Sequence, residues 1–446
     1  MEYQSTGISD IQVYVPEPML PLGALVAGRV KQTPRLERHL QRALRVTGQR
    51  AMRFPSPRED TVTMAAAAAH RLLAGNPRID LTAVRHLAVG TESGVDHSKP
   101  VSAYVAGLLR EAGLQLPTTL SSVQVQHACA AGTLSLLSVA AQLAVGGRHD
   151  ETGVVVCSDV ARYKTHTTAE VTQGAGAVSL LVERSPKLVE LDLETTGYYA
   201  SDVDDFFRPI GSTTAQVKGT YSMQCYTESL RLALLDHCER SGRQPEEVLL
   251  DTDYFVLHAP FRNMPEAAMV ELLGRHLGMD AEPARRYLGS RGLYDGMDTV
   301  AEVGNIYTGS VYLALYSLLA RQYAAIGEAI VGKSVLLASY GAGNIMVVLA
   351  GRIAPSAPEV IRRWDLDALL SSGRTATFEQ YERWAQESYA PAKSAENAIR
   401  GETDDADRLV FSLSAVREDG YREYAYDAAA AEAAVGSRPV GAAIAV

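Results

Sequence analysis

In the stretch QVQHACAAGT the chain sets Cys129 between an apolar run and a segment of Ala, Gly and Leu that reads as a helix. A thiol at a strand-to-helix junction meets the unpaired N–H groups and partial positive charge of the helix N-terminus. Both favour a thiolate, which makes Cys129 a candidate nucleophile. The competing reading is a small buried filler, because cysteine is among the most buried residue types, and the local context leaves the two level. Cys157 in VVVCSD, and Cys225 and Cys238 in helical-looking segments, have no comparable setting and read as core residues.

A thiol that forms thioesters needs a base or proton donor and a site for the oxyanion. Three other candidates stand at strand ends or turns: Glu92 after HLAVG, His258 after YFVL, and Asn305 in EVGNIYTGS before a helix. Singly, each has a bland reading. A Glu or Asn at a turn is usually a solvated cap, and a lone His after a strand is usually a satisfied core or surface group.

The elements that must position these groups alternate. Residues 59–75 read as a helix, 86–93 as a strand, 102–113 as a helix, TLSSVQVQHAC as a strand, AAGTLSLLSVAAQLAVGG as a helix, and 152–159 and 174–183 as strands. The grammar returns in a strand at 253–260, the helices NMPEAAMVELLGRHLG and YTGSVYLALYSLLARQYAA, and strands at 334–343 and 345–353. This predicts α/β layering from two similar halves. The region from about 356 onward is more polar, carries both tryptophans and ends in an Ala-rich tail, 428–446, expected to be partly helical.

The chain has 446 residues, 21% of them charged, and a formal net charge of -10. The charge forms no basic stripe, so neither nucleic acid nor an anionic membrane is expected as a partner. No signal peptide and no run of ~18 uninterrupted apolar residues is seen, so a cytoplasmic location is expected. The four cysteines form no CxxC pair and are expected as free thiols, with no metal site.

Taken together, TESGVDHSKPVSAYV, QHACAAGT, SDVARY, EVTQGAGAV, DFFRPIGSTTAQVKGTYSMQCY, HAPFRNM, VGNIYTGSVYLAL and SYGAG occur in an order that resembles the 3-hydroxy-3-methylglutaryl-CoA synthase family of the thiolase superfamily. The resemblance runs from about residue 8 to 350. It implies the thiolase-like five-layered αβαβα fold from two duplicated halves, 1–183 with Cys129 and 184–446 with His258 and Asn305, assembled as a homodimer. It also implies an acyltransferase that takes acetyl from acetyl-CoA onto Cys129 and condenses it with acetoacetyl-CoA, with CoA thioesters as substrates and no cofactor.

By the same resemblance, Glu92 takes a proton from the acetyl methyl group, and His258 with Asn305 receives the acceptor ketone, His258 donating the proton. The backbone N–H groups of Cys129 and Ala342 hold the thioester oxygen. Asp159 and Asp205 order the pocket, and Tyr163, Gln173, Ser222 and Tyr307 shape it; all of these are expected on the substrate side.

Four departures qualify the match. Ala130 stands where tyrosine is usual, which would enlarge the pocket. Asn263 replaces a lysine expected to meet the CoA phosphates, with Arg262 as its nearest substitute. Lys218 stands where an acid is common, and NIMVVLAG is unlike the usual run along the far side of the pocket. These motivate two alternatives: an acceptor that is carried by an acyl carrier protein, as in polyketide β-branching, or is a non-standard β-ketoacyl group, and a catalytically weak scaffold subunit.

Overall fold

The computed structural model describes residues 5–148, 150–387 and 409–436. Its centre is a nine-stranded mixed sheet. The first half contributes β1 (Thr6–Tyr14), β4 (Val84–Gly90), β5 (Ser121–Val125), β6 (Thr152–Ala161) and β7 (Gly174–Arg184). The second contributes β8 (Val189–Ala200), β11 (Tyr254–Leu257), β12 (Ser334–Gly341) and β13 (Ile345–Ile353). Their spatial order is β11-β12-β13-β8-β1-β7-β6-β4-β5.

The pairing pattern is duplicated. β4 runs parallel to β6, which pairs antiparallel with β7, which pairs antiparallel with β1. In the second half β11 runs parallel to β12, which pairs antiparallel with β13, which pairs antiparallel with β8. The halves meet where β1 and β8 pair antiparallel, Thr6 opposite Leu191.

Helices complete the layers. α5 (Ala131–Gly146) and α11 (Ser310–Ile326) lie in the central core between strands of both halves; Leu136, Val139 and Leu143 of α5 join Val311, Leu315 and Leu319 of α11 there. Burial against strands explains the apolar face that each helix turns to the core, while Ser138, Ala141, Gln142 and Val145 of α5 are exposed. By length and composition alone the stretch Ala128–Gly146 would cross a membrane; here it packs as a core helix. The outer layer of the first half is α3 (Thr61–Ala74) and α4 (Val101–Glu111). α3 starts where the Asp60 carboxylate accepts from the N–H groups of Val62 and Thr63, satisfying two of the donors a helix start leaves open. Its alanines let it lie close on the sheet. In the second half α6 (Gly219–Ser241), α7 (Pro245–Asp251), α8 (Asn263–Leu277), α9 (Ala281–Ser290) and α10 (Leu293–Val303) form the outer layer.

Smaller elements frame the site. α1 (Leu22–Gln32) and α2 (Glu37–Thr47) lie between β2 (Pro18–Pro21) and β3 (Ala51–Arg53), and β14 (Arg374–Thr375) pairs with β2. A hairpin of β9 (Phe206–Phe207) and β10 (Gln216–Val217) forms a flap. The polar C-terminal region supplies α12 (Ala357–Ile361), α13 (Leu366–Ser371), α14 (Phe378–Glu387) and a hairpin, β15 (Phe411–Val416) with β16 (Arg422–Tyr426). The Ala-rich tail is helical over Ala428–Gly436, and the remainder of its expected span lies outside the described residues.

Candidate active site

Cys129 stands on a sharp turn between β5 and α5. Ala128 before it has φ 43°, a left-handed conformation that a residue with a Cβ rarely adopts, and Ala130 after it is already helical. Two glycines let neighbouring strand ends approach this turn. A Cβ on Gly90, at the end of β4, would sit 2.5 Å from the Cα of Gly132 in α5, and one on Gly341, at the end of β12, would sit 2.5 Å from the His127 carbonyl. β4 thereby delivers Glu92 and β12 delivers Ala342.

The Cys129 thiol donates to Oε1 of Glu92 at 3.1 Å. Burial and then the charge of Asp159 push the Glu92 carboxyl up to about 8. Burial, and next the Glu92 carboxylate, push the Cys129 thiol well up. Against the expectation that the helix N-terminus favours a thiolate, desolvation and the neighbouring carboxyl groups work in the opposite direction.

Asp159 is fully buried at the end of β6. Its Oδ1 accepts from the Thr91 hydroxyl at 2.9 Å and the Glu92 N–H at 3.0 Å, and its Oδ2 accepts from the Thr308 N–H at 3.1 Å and hydroxyl at 2.5 Å. One carboxylate thus ties the Glu92 turn to the turn that carries Asn305.

His258 follows β11, its N–H donating to the Ala338 carbonyl at 2.7 Å and its own carbonyl accepting from Tyr226 at 2.8 Å. Both ring nitrogens are buried without a protein partner among the described residues. Burial lowers the imidazole to about 3, so the ring is neutral at physiological pH and presents one N–H donor. Asn305 is held by its N–H to Thr172 at 3.2 Å, while its Oδ1 accepts from the Tyr307 N–H at 2.9 Å and the Ser310 hydroxyl at 3.0 Å. With Oδ1 engaged, the amide nitrogen is the donor that Asn305 offers.

A cavity of about 560 Å³ brings Cys129, His258, Asn305, Ala342, Tyr163, Ser222 and Tyr307 onto one wall. Tyr163, Phe206 and Tyr307 form an edge-to-face aromatic cluster beside the thiol. Glu92, Asp159, Asp205 and Gln173 are not on that lining: Glu92 reaches the cavity through its hydrogen bond to Cys129, and the expectation that Asp159, Asp205 and Gln173 contact substrate is corrected to a place behind it. Asp205 accepts from Tyr340 at 2.7 Å, Ser222 at 3.1 Å and the Gly343 N–H at 3.0 Å, which anchors the flap to the β12–β13 turn. Gln173 accepts from the Tyr163 N–H at 2.8 Å.

The departures also find their places. Ala130 is fully buried against Gly341 and is not itself on the cavity lining. Asn263 donates to the carbonyls of Arg45 at 3.4 Å and Val46 at 3.1 Å, capping the end of α2. Arg262 is paired with Asp298 at 2.7 Å. Lys218 pairs with Asp204 at the surface. Met346, Val347 and Val348 are core residues of β13, away from the cavity. Thr91, Thr308 and Tyr340 join the site unannounced, since a lone Thr or Tyr in a sequence gives no sign of a carboxylate it meets in space.

A duplicated α/β fold that brings a cysteine, a histidine and an asparagine onto one cavity, with a carboxyl group hydrogen-bonded to the cysteine, defines a thiolase-like enzyme, in which a thiol carries an acyl group between thioesters. Sequence models described as hydroxymethylglutaryl-coenzyme A synthase N terminal and C terminal match residues 3–187 and 296–427. The hydroxymethylglutaryl-CoA synthase of Haloferax volcanii is 32% identical over 370 residues, 74% of this chain and 81% of its own. That of Enterococcus faecalis is 28% identical over 84% of this chain and 90% of its own. The solved structure of MvaS in complex with 3-hydroxy-3-methylglutaryl coenzyme A superposes with a TM-score of 0.79 at 32% identity, covering 95% of this chain and 99% of that one. The chain belongs to the hydroxymethylglutaryl-CoA synthase family.

Proposed function

We propose that the protein is a hydroxymethylglutaryl-CoA synthase, condensing acetyl-CoA with acetoacetyl-CoA through an acetyl thioester on Cys129. The observation that carries this reading is the Cys129 thiol, on a cavity that also holds neutral His258 and Asn305, and hydrogen-bonded at 3.1 Å to Glu92. As Cys129 attacks the acetyl carbonyl its proton passes to Glu92, and the departing CoA thiolate takes a proton in turn. The N–H groups of Cys129 and Ala342 are assigned to the carbonyl oxygen. Glu92, again ionised, removes a proton from the acetyl methyl group, and the resulting carbon attacks the acceptor ketone. The new alkoxide is held by hydrogen bonds from the neutral His258 ring and the Asn305 amide and takes its proton from water, Glu92 returning the proton it drew from the methyl group to solvent; water then cleaves the thioester.

Intact-mass spectrometry after incubation with acetyl-CoA, with Cys129→Ala as control, tests this. The expected result is one acetyl group, absent in the variant, discharged by acetoacetyl-CoA with formation of the C6 product. An acetyl-enzyme that ignores acetoacetyl-CoA would overturn the acceptor assignment.

A second reading keeps the chemistry but delivers the acceptor on an acyl carrier protein. It is favoured by Asn263, which replaces a cation and is turned to the Val46 carbonyl, and by Arg262, which is neutralised by Asp298. A holo carrier bearing the acceptor would then outcompete free acetoacetyl-CoA. Assembly as a homodimer is part of the proposal, supported by β5, an outer strand of the sheet on which Ser122 and Val123 are exposed. Four free thiols fit a reducing, cytoplasmic setting.

A further inference from the structure

The loop 162–173, which walls one side of the cavity through Tyr163, Thr168, Ala169 and Thr172, is pinned from behind by a buried polar chain. Tyr381 of α14 is completely buried. Its hydroxyl donates to Glu170 Oε1 at 2.8 Å and accepts from Gln173 Nε2 at 2.6 Å. Gln173 Oε1 then accepts from the Tyr163 N–H at 2.8 Å. Glu170 accepts from Arg29 of α1 at 2.7 Å, both side chains fully buried, and from the His166 N–H at 2.9 Å. Arg29 also reaches Glu382, the neighbour of Tyr381, at 2.8 Å. Farther along α14, Trp384 lies under the Arg162 guanidinium at 4.2 Å.

The same loop end holds Asn305. Thr172 accepts the Asn305 N–H, and a Cβ on Gly304 would lie 2.0 Å from the Gln173 carbonyl, so the two backbones are in close contact. A shift of Gln173 is therefore transmitted to Tyr163 through a hydrogen bond and to Asn305 through packing. Every polar atom of the Tyr381 hydroxyl, Glu170 and Gln173 named here has a buried partner, and a fully satisfied buried network specifies one arrangement.

We propose that Tyr381, in the C-terminal helix α14, is a positioning residue for the acyl cavity, its hydroxyl setting Gln173 and through it the placement of Tyr163 and Asn305. The role rests on the reading of the cavity as the condensation site. It acts on the acceptor side, because among the described residues Tyr381 reaches the Cys129–Glu92 pair only through this loop, whose hydrogen bond and packing lead to the Tyr163 backbone and to Asn305.

Tyr381→Phe removes only the hydroxyl, and Trp384→Phe, on the same helix, removes packing area without breaking this chain of hydrogen bonds. Tyr381→Phe is expected to acetylate Cys129 at close to the wild-type rate, with the KM for acetyl-CoA unchanged, while condensation kcat falls roughly 10- to 100-fold. Trp384→Phe is expected to lower Tm without that fall. Equal losses of kcat in both variants, in proportion to Tm, would overturn the proposal in favour of a merely structural role. A 3-fluorotyrosine at position 163 reads the geometry without substrate. Its fluorine resonance is expected to shift in Tyr381→Phe and to stay in place in Trp384→Phe. An unmoved resonance would overturn the positioning role irrespective of the reaction, whereas a shifted resonance in an enzyme that condenses nothing would overturn only the proposed function.

Discussion

Sγ of Cys129 and Oε1 of Glu92 stand 3.1 Å apart in a hydrogen bond that runs from the thiol to the carboxyl group. The carboxylate that is to accept the thiol's proton is thus also a group that opposes a standing thiolate. A buried carboxyl pushed up to about 8 has a proton affinity suited to taking a proton near neutral pH and giving it back.

Glu92→Gln removes that base and one of the charges facing the thiol. Condensation is expected to fall by about 10²–10⁴-fold, measured as acetyl-dependent consumption of acetoacetyl-CoA. Alkylation of Cys129 by iodoacetamide is expected to accelerate on the order of tenfold at pH 8, because the thiol loses a neighbouring negative charge. A slower alkylation in the variant would show that Glu92 assists rather than opposes the thiolate in the resting enzyme.

The same carboxyl sets a pH dependence of stability. Its folded value of about 8 lies above the ordinary 4.5, so between those values the folded state holds a proton that the unfolded state has lost. Its contribution to stability therefore declines as pH rises from about 4.5 through about 8. Thermal melts across that window are expected to show Glu92→Gln gaining on the wild type toward alkaline pH, while wild-type condensation rises as the base ionises. A difference in Tm independent of pH would remove Glu92 as the titrating group.

The proposed catalytic set is the part of the site most legible in the sequence, and physical reasons account for what is not. Cys129, Glu92 and His258 each follow an apolar strand within a few residues, and Asn305 precedes a helix; the core strands and helices carry their own apolar pattern. β8 does not, since VELDLETTGYYA alternates buried and exposed positions and carries acids on the open face. β1 is obscured by Asp10, buried at 2% exposure and paired with Arg363 and Trp364. The chain of Arg29, Glu170 and Tyr381 joins residues 141 and 211 positions apart, and no local spacing announces it. The roles expected for Ala130 and Asn263 depended on which way each side chain faces, which only packing decides.

His258 offers a cleaner separation of half-reactions. Neither ring nitrogen has a protein partner among the described residues, so truncation breaks no hydrogen bond of the folded chain. His258→Ala is expected to retain acetylation of Cys129, seen by intact mass, and to lose condensation by about 10²–10⁴-fold. Because burial holds the imidazole at about 3, the wild-type rate should show no inflection near pH 6.5 from this residue. An inflection that vanishes in the variant would mean that the ring is charged in the working enzyme.

Charge at the cavity mouth provides the remaining prediction. With Asn263 capping α2 and Arg262 bound to Asp298, the cationic side chain on the cavity lining is Arg42 of α2, which is exposed and, among the described residues, has no ion pair. A phosphate of the incoming carrier would find its countercharge there. Arg42→Ala is expected to raise KM for CoA thioesters roughly two- to fivefold with kcat unchanged, an effect that shrinks as salt is added. Reversing the neighbouring charges, Arg38→Glu with Arg45→Glu, separates the two carriers: free CoA thioesters should lose little beyond a general electrostatic effect. An acidic carrier protein, spread over the whole exposed face of α2, should lose far more. Steady-state kinetics at two ionic strengths with each acceptor checks this, and an Arg42→Ala variant with an unaltered, salt-insensitive KM would place the phosphates elsewhere.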